Sequence, residues 1–98
     1  MLKHIVMMKL KPDVSDFMEH LNKLEKMLMD LKPQIPSLLK MEVGINISTR
    51  PTAYDIVLVS EFENDEALEQ YRVHPKHLQV LDFIKIVVAE AKVVDYYV

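Results

Sequence analysis

The sequence predicts a small α+β domain: one four-stranded antiparallel sheet with helices on a single face. Alternating apolar and polar residues mark four strands, and apolar residues at helical spacing mark two helical regions. Prolines fall at the joints between them. The order strand, helix, strand, strand, broken helix, strand is the split βαβ, or ferredoxin-like, plan (βαββαβ). It implies a sheet with spatial order fourth, first, third, second. With 98 residues, the chain is read as one domain spanning 1–98.

Leu2 to Leu10 reads as the first strand. Leu2, His4, Val6, Met8 and Leu10 share one face, and Lys3, Ile5, Met7 and Lys9 the other. Lys11-Pro12-Asp13 breaks the alternation, and Asp13 or Ser15 is placed to cap a helix. Val14, Phe17, Met18, Leu21, Leu24, Met27, Leu28 and Leu31 follow helical spacing. Lys32-Pro33 ends that helix, and Ile35-Pro36 is an irregular connector. In the second strand Leu39, Met41, Val43, Ile45 and Ile47 alternate with Lys40, Glu42, Gly44 and Asn46.

A polar loop, Ser48 to Ala53, leads to a third strand from Tyr54 to Phe62. Ile56, Leu58, Ser60 and Phe62 lie on one side of it; Asp55, Val57, Val59 and Glu61 lie on the other. Asn64 is a good N-cap, and Asp65 and Glu66 suit the positive end of a helix dipole. Ala67, Leu68 and Tyr71 give this helix its inward face. The helix stops near His74, because a residue before proline is biased away from helical geometry, and Pro75 opens another. His77, Leu78, Leu81, Ile84, Ile86, Val87 and Val88 are its candidate buried positions, and Ala91 to Val98 forms the last strand.

Half of the residues are hydrophobic, a high share for so small a domain. The sheet face away from the helices would carry Ile5, Met7, Val57, Val59, Val94 and Tyr96. An apolar face of that kind predicts an interface, so a homodimer with sheets packed face to face is expected. The net charge of −3 offers no basic stripe for nucleic acid. No apolar run is long enough to span a membrane, and the N-terminus lacks signal-peptide character. The absence of cysteine excludes disulfides and thiolate metal sites and fits a cytoplasmic location. No glycine-rich phosphate loop or nucleophile elbow is present, and neither a cofactor nor a metal is expected.

The chemistry-bearing segment is Tyr71-x-x-His74-Pro75-Lys76-His77. By itself it reads first as a helix start with a surface histidine. The expected topology adds neighbours: the start of the first strand, with His4, lies beside the end of the last, with Asp95. These residues would converge at one end of the helix-covered core. A carboxylate can fix a histidine tautomer, the opposite ring nitrogen can take a proton, and a tyrosine hydroxyl can bind a carbonyl oxygen. Each member also has a plain reading. Taken singly, His4 reads first as a satisfied core histidine, and Asp95 as a solvated or turn-bonding strand-end residue. His74 and His77 as metal ligands at i, i+3 match no recognised zinc spacing. His20, on the first helix, is expected to be exposed.

Leu2-Lys3-His4-Ile5-Val6, Ile35-Pro36, Tyr71-x-x-His74-Pro75-x-His77 and Val94-Asp95-Tyr96 together resemble the stress-responsive dimeric α/β-barrel (Dabb) domain family. The resemblance covers essentially the whole chain and implies a homodimer whose sheets form a barrel. Most members have no assigned reaction. One relative type, the plant olivetolic acid cyclase, closes a linear polyketide by aldol condensation without a cofactor. By that resemblance His77 is the candidate base, Tyr71 the carbonyl-binding hydroxyl, Asp95 the carboxylate orienting the histidine, and His4 a pocket histidine. His74, Met8 and Phe62 are candidate ligand contacts.

Three functional readings follow. The first is a homodimer that binds a small, partly apolar carbonyl or phenolic molecule between sheet and helices. The second is a cofactor-independent lyase or cyclase with His77 as general base. The third is a stress-associated structural or interaction protein without a ligand.

Overall fold

A computed structural model describes residues 1–12 and 15–98. The elements are β1 (Leu2–Leu10), α1 (Phe17–Met29), β2 (Lys40–Ile45), β3 (Ile56–Phe62), α2 (Asp65–Arg72), α3 (Pro75–Val87) and β4 (Val88–Tyr97), with a short 3-10 turn at Lys32–Gln34 between α1 and β2. The sheet order is β2-β3-β1-β4, and all three pairings are antiparallel. This is the ferredoxin-like arrangement expected from the element order.

Register decides which residues share a face. Leu2 pairs with Phe62 and Tyr97, and His4 with Ser60 and Asp95. Even-numbered residues of β1 therefore face the helices, together with Met41, Val43 and Ile45 of β2. The core lies between this face and the helices, built around Leu24, Leu28, Leu58, Phe62 and Leu68. The opposite face carries Ile5, Met7, Val57, Val59, Val94 and Tyr96, as the alternation implied. In the single chain Met7, Val94 and Tyr96 are exposed.

The helix boundaries differ from expectation for local reasons. Ser15 does not cap α1; Asp16 occupies that position with left-handed backbone (φ 57°) and no side-chain cap bond. Asp tolerates this region better than most residues. Asp13 and Val14, expected as cap and first apolar position, lie outside the described residues. Met18 is exposed, because α1 buries only its Leu21, Leu24 and Leu28 stripe. His20 is not fully exposed: its ring lies 6.0 Å from that of Phe83, between α1 and α3, with Nδ1 buried.

β2 ends at Ile45, and Ile47 is almost entirely exposed, since the pairing with β3 stops at Ile56. In α3 the buried face runs through Val80 and Val87, with Phe83 and Ile84 packed against the core. Leu78 and Ile86 fall on the other side and are exposed. Val88 is the first residue of β4 rather than helical, so strand follows helix without a loop. Asn64 caps α2 as expected, accepting the Ala67 N–H at 2.9 Å.

Helix cover is uneven. α1 packs over β2 and β3 and against α3, while α2 packs over β3. On β4 every residue from Ala89 to Tyr97 is exposed. The space between α3 and the uncovered flank of β4 is the setting of the site.

Candidate ligand-binding site

A cavity of about 390 Å³ opens beneath the break between α2 and α3. That volume lies within the usual range for small-molecule sites. The sheet contributes Val6, Met8, Leu58, Ala91 and Val93 to its wall, and the helices add Leu28, Leu81 and Ile84. Four further lining residues are polar: His4, Tyr71, Arg72 and His77. The cavity thus has an apolar body and one cluster of hydrogen-bonding groups.

The cluster follows from pairing and from the helix break. His4 and Asp95 are cross-strand partners in β1 and β4, and His4 Nδ1 lies 2.5 Å from Asp95 Oδ1. The other carboxylate oxygen lies 3.4 Å from Arg72 Nη2. Beside His4, the Ser60 hydroxyl donates to the His4 carbonyl at 3.1 Å and ties the first strand to the third.

At the break, Pro75 has no N–H, and the Lys76 N–H goes to His74 Nδ1 at 3.1 Å. The Arg72 carbonyl is left for the His77 ring, whose Nδ1 donates to it at 3.0 Å. A carbonyl only accepts, so this contact places the His77 proton on Nδ1. Nε2 of the neutral ring keeps its lone pair. Burial pushes the His77 pKa below its ordinary value, against the opposing pull of the Arg72 carbonyl; the neighbouring His4, Arg72 and His74 lower it further. Neutral His77 is accordingly the favoured form near pH 7.

Tyr71 is 1% exposed and stacks at a tilt on His77, with centroids 4.3 Å apart. Among the described residues its hydroxyl has no hydrogen-bond partner. Burial raises its pKa well above the ordinary phenol value, so it stays protonated and remains a donor.

The structure brings His4, Tyr71, His77 and Asp95 together as the topology implied, but one contact differs. Asp95 holds His4, not His77; strand register sets that pairing, while His77 is oriented by a backbone carbonyl. Met8 lines the cavity. His74 does not; it is the N-cap of α3. Phe62 is fully buried behind the site, edge-on to Tyr71 at 5.1 Å and to His4 at 6.4 Å. Arg72 was missed, although its place next to Tyr71 at the end of a helix before His-Pro was the available signal. Among the described residues no group of three or more His, Asp or Glu side chains is placed to hold a metal ion.

The model of the stress responsive A/B barrel domain matches residues 2–98. The chain belongs to this family. An uncharacterised Streptomyces coelicolor protein is 34% identical over 77 residues, 79% of each chain. A dimeric protein of unknown function with a ferredoxin-like fold from Bacteroides fragilis is 29% identical. It superposes with a TM-score of 0.90 over 99% of this chain and 95% of its own. The Arabidopsis thaliana protein At3g17210 is 25% identical, with a TM-score of 0.84 over 100% of this chain and 95% of its own. Placed in the A/B barrel family, the chain shares its fold with proteins that form dimers. No helix among the described residues is long and apolar enough to cross a membrane.

Proposed function

We propose that the chain works as one half of a homodimer that binds a small, partly apolar carbonyl or phenolic molecule in the cavity beneath the helix break. The observation that carries this reading is the division of the cavity wall into an apolar body and one polar cluster. A carbonyl oxygen at the polar end would accept from the protonated Tyr71 hydroxyl, and a phenolic hydroxyl there would donate to His77 Nε2. The test is binding of acetophenone and 4-hydroxybenzaldehyde, followed by chemical shifts of Leu58 and His77. Saturable binding, weakened in His77→Ala without loss of fold, is expected; unshifted cavity resonances throughout the titration would overturn the reading.

Dimerisation is supported by the apolar open face of the sheet, centred on Ile5, Val57, Val59 and Val94. Sedimentation should give a dimer at micromolar concentration, and Val59→Glu should dissociate it. A stable wild-type monomer would contradict the interface.

One observation favours a second reading, a cofactor-independent lyase or cyclase. The Arg72 carbonyl fixes His77 in the tautomer a general base needs. His77 Nε2 would take a proton from carbon beside a substrate carbonyl. The electron pair would move onto the carbonyl oxygen, where the Tyr71 hydroxyl donates to it. Asp95 would orient His4 as an auxiliary binding group. Wild type should then exchange the methyl protons of acetophenone for deuterium, and His77→Ala should not. Binding without exchange favours the first reading.

A further inference from the structure

Arg72 has no part in either reading beyond its backbone carbonyl. Among the described residues its side chain is nevertheless the only permanently charged group that lines the cavity, and no carboxylate is part of the wall. Asp95, the nearest acid, is turned toward His4. The guanidinium is loosely held. It meets Asp95 Oδ2 at 3.4 Å and Glu69 Oε2 at 3.8 Å, both longer than a good charge-assisted bond, and neither contact is a parallel fork. Arg carries five N–H donors, so most of its capacity is unused. Its side chain is about half exposed, which leaves it free to turn onto a ligand at little cost.

We infer that Arg72 sets the chemical class of the ligand: an apolar body seated in the cavity, with a carboxylate bound by the Arg72 guanidinium beside His77. This rests on the cavity being a ligand site and narrows the ligand to an anion. A carboxylate accepts two parallel N–H bonds from Arg, a geometry that Asp95 and Glu69 do not supply here. Lodged there, the anion would also offset the positive field of Arg72 at His77, one of the influences that lower the His77 pKa. Carboxylate binding should therefore make His77 more basic, which couples ligand charge to the candidate base.

The experiment compares acid and amide pairs of the same body: benzoate with benzamide, 3-phenylpropionate with 3-phenylpropionamide, hexanoate with hexanamide. Binding is read from Leu58 methyl and His77 imidazole resonances in wild type, Arg72→Met and Arg72→Lys. In wild type the acids should bind about tenfold tighter than the amides, with a preference that shrinks as salt rises. Arg72→Met should abolish the preference by weakening the acids far more than the amides, and Arg72→Lys should retain part of it. Equal affinity for acid and amide, or a preference that survives in Arg72→Met, would overturn the assignment of Arg72 and leave the cavity reading standing. If no pair shifts either resonance up to saturation, the cavity reading falls, and this inference with it.

Discussion

The two halves of the sheet use the same alternation and reach opposite outcomes. Under α1 and α2, the helix-facing residues of β3 are almost fully excluded from water, with Phe62 and Ser60 at 0%. On β4 the corresponding residues, Ala91, Val93 and Asp95, face the same side of the sheet yet are exposed. The difference lies in the cover, since no helix packs squarely over β4. The site sits on the border between these regions. Tyr71 and His4 are backed by Phe62 on one side and open to the cavity on the other. Polar groups can be kept there partly desolvated without spoiling the core, which is how a small domain combines a stable fold with a cavity that carries hydrogen-bonding groups.

The largest expected contrast is in packing. Phe62→Ala should cost about 3–5 kcal/mol, the usual range for removing a fully buried aromatic ring. Val93→Ala on β4 should cost less than about 1 kcal/mol, because its side chain is already wet. Denaturant unfolding of both variants measures the pair. Similar losses would mean that β4 is covered in solution, as by a partner on that flank.

The next effect lies on the border. Asp95→Ala leaves His4 Nδ1 without its partner and should cost about 1–3 kcal/mol, toward the lower end because Asp95 is partly exposed. Asp95→Asn keeps an acceptor for His4 and should recover most of the loss. If Asp95→Ala were neutral, the pair would be a surface contact with no structural role.

The fold was legible in the sequence because strand alternation and helix punctuation are local signals. Asn64 and Pro75 marked real helix starts, and β1 was read to the residue. Burial on α3 was less legible. Leu78 and Ile86 are as apolar as Val80 and Val87, and only the docked orientation of the helix separates them. The site residues were legible as a group because antiparallel register forces His4 beside Asp95. Their pairing was not. The bond from His77 to the Arg72 carbonyl exists because a proline removed one N–H and a histidine captured another, a detail of the break that no periodicity carries.

A smaller effect comes from pH. Burial lowers the His77 pKa in the folded protein below its unfolded value of about 6.5. As pH falls toward and below that value, the unfolded chain takes up the proton first, so stability drops. The His77 contribution is therefore fully present above about pH 6.5 and is lost on acidification through the window between the two pKa values. Unfolding free energies measured from pH 8 to pH 5 should show a slope in wild type that flattens in His77→Gln. An unchanged slope would mean that His77 is as wet as β4.

The smallest change in stability should come from Tyr71→Phe. The ring is as buried as that of Phe62 and packs against it, so it belongs to the covered region. The hydroxyl belongs to the cavity, since it has no partner among the described residues and its pKa is shifted by burial alone. Removing it takes away a desolvated polar group without breaking a protein hydrogen bond. Stability should stay within about 0.5 kcal/mol of wild type. Affinity for a carbonyl ligand should fall several-fold, the effect of losing one hydrogen bond worth about 1 kcal/mol. Calorimetry on the variant, with and without acetophenone, separates the two. A loss of stability of 1 kcal/mol or more, estimated on the scale of a buried hydrogen bond, would place the hydroxyl in the protein's own network. The polar end of the cavity would then be part of the core, and the border between the two regions would lie farther out, toward β4.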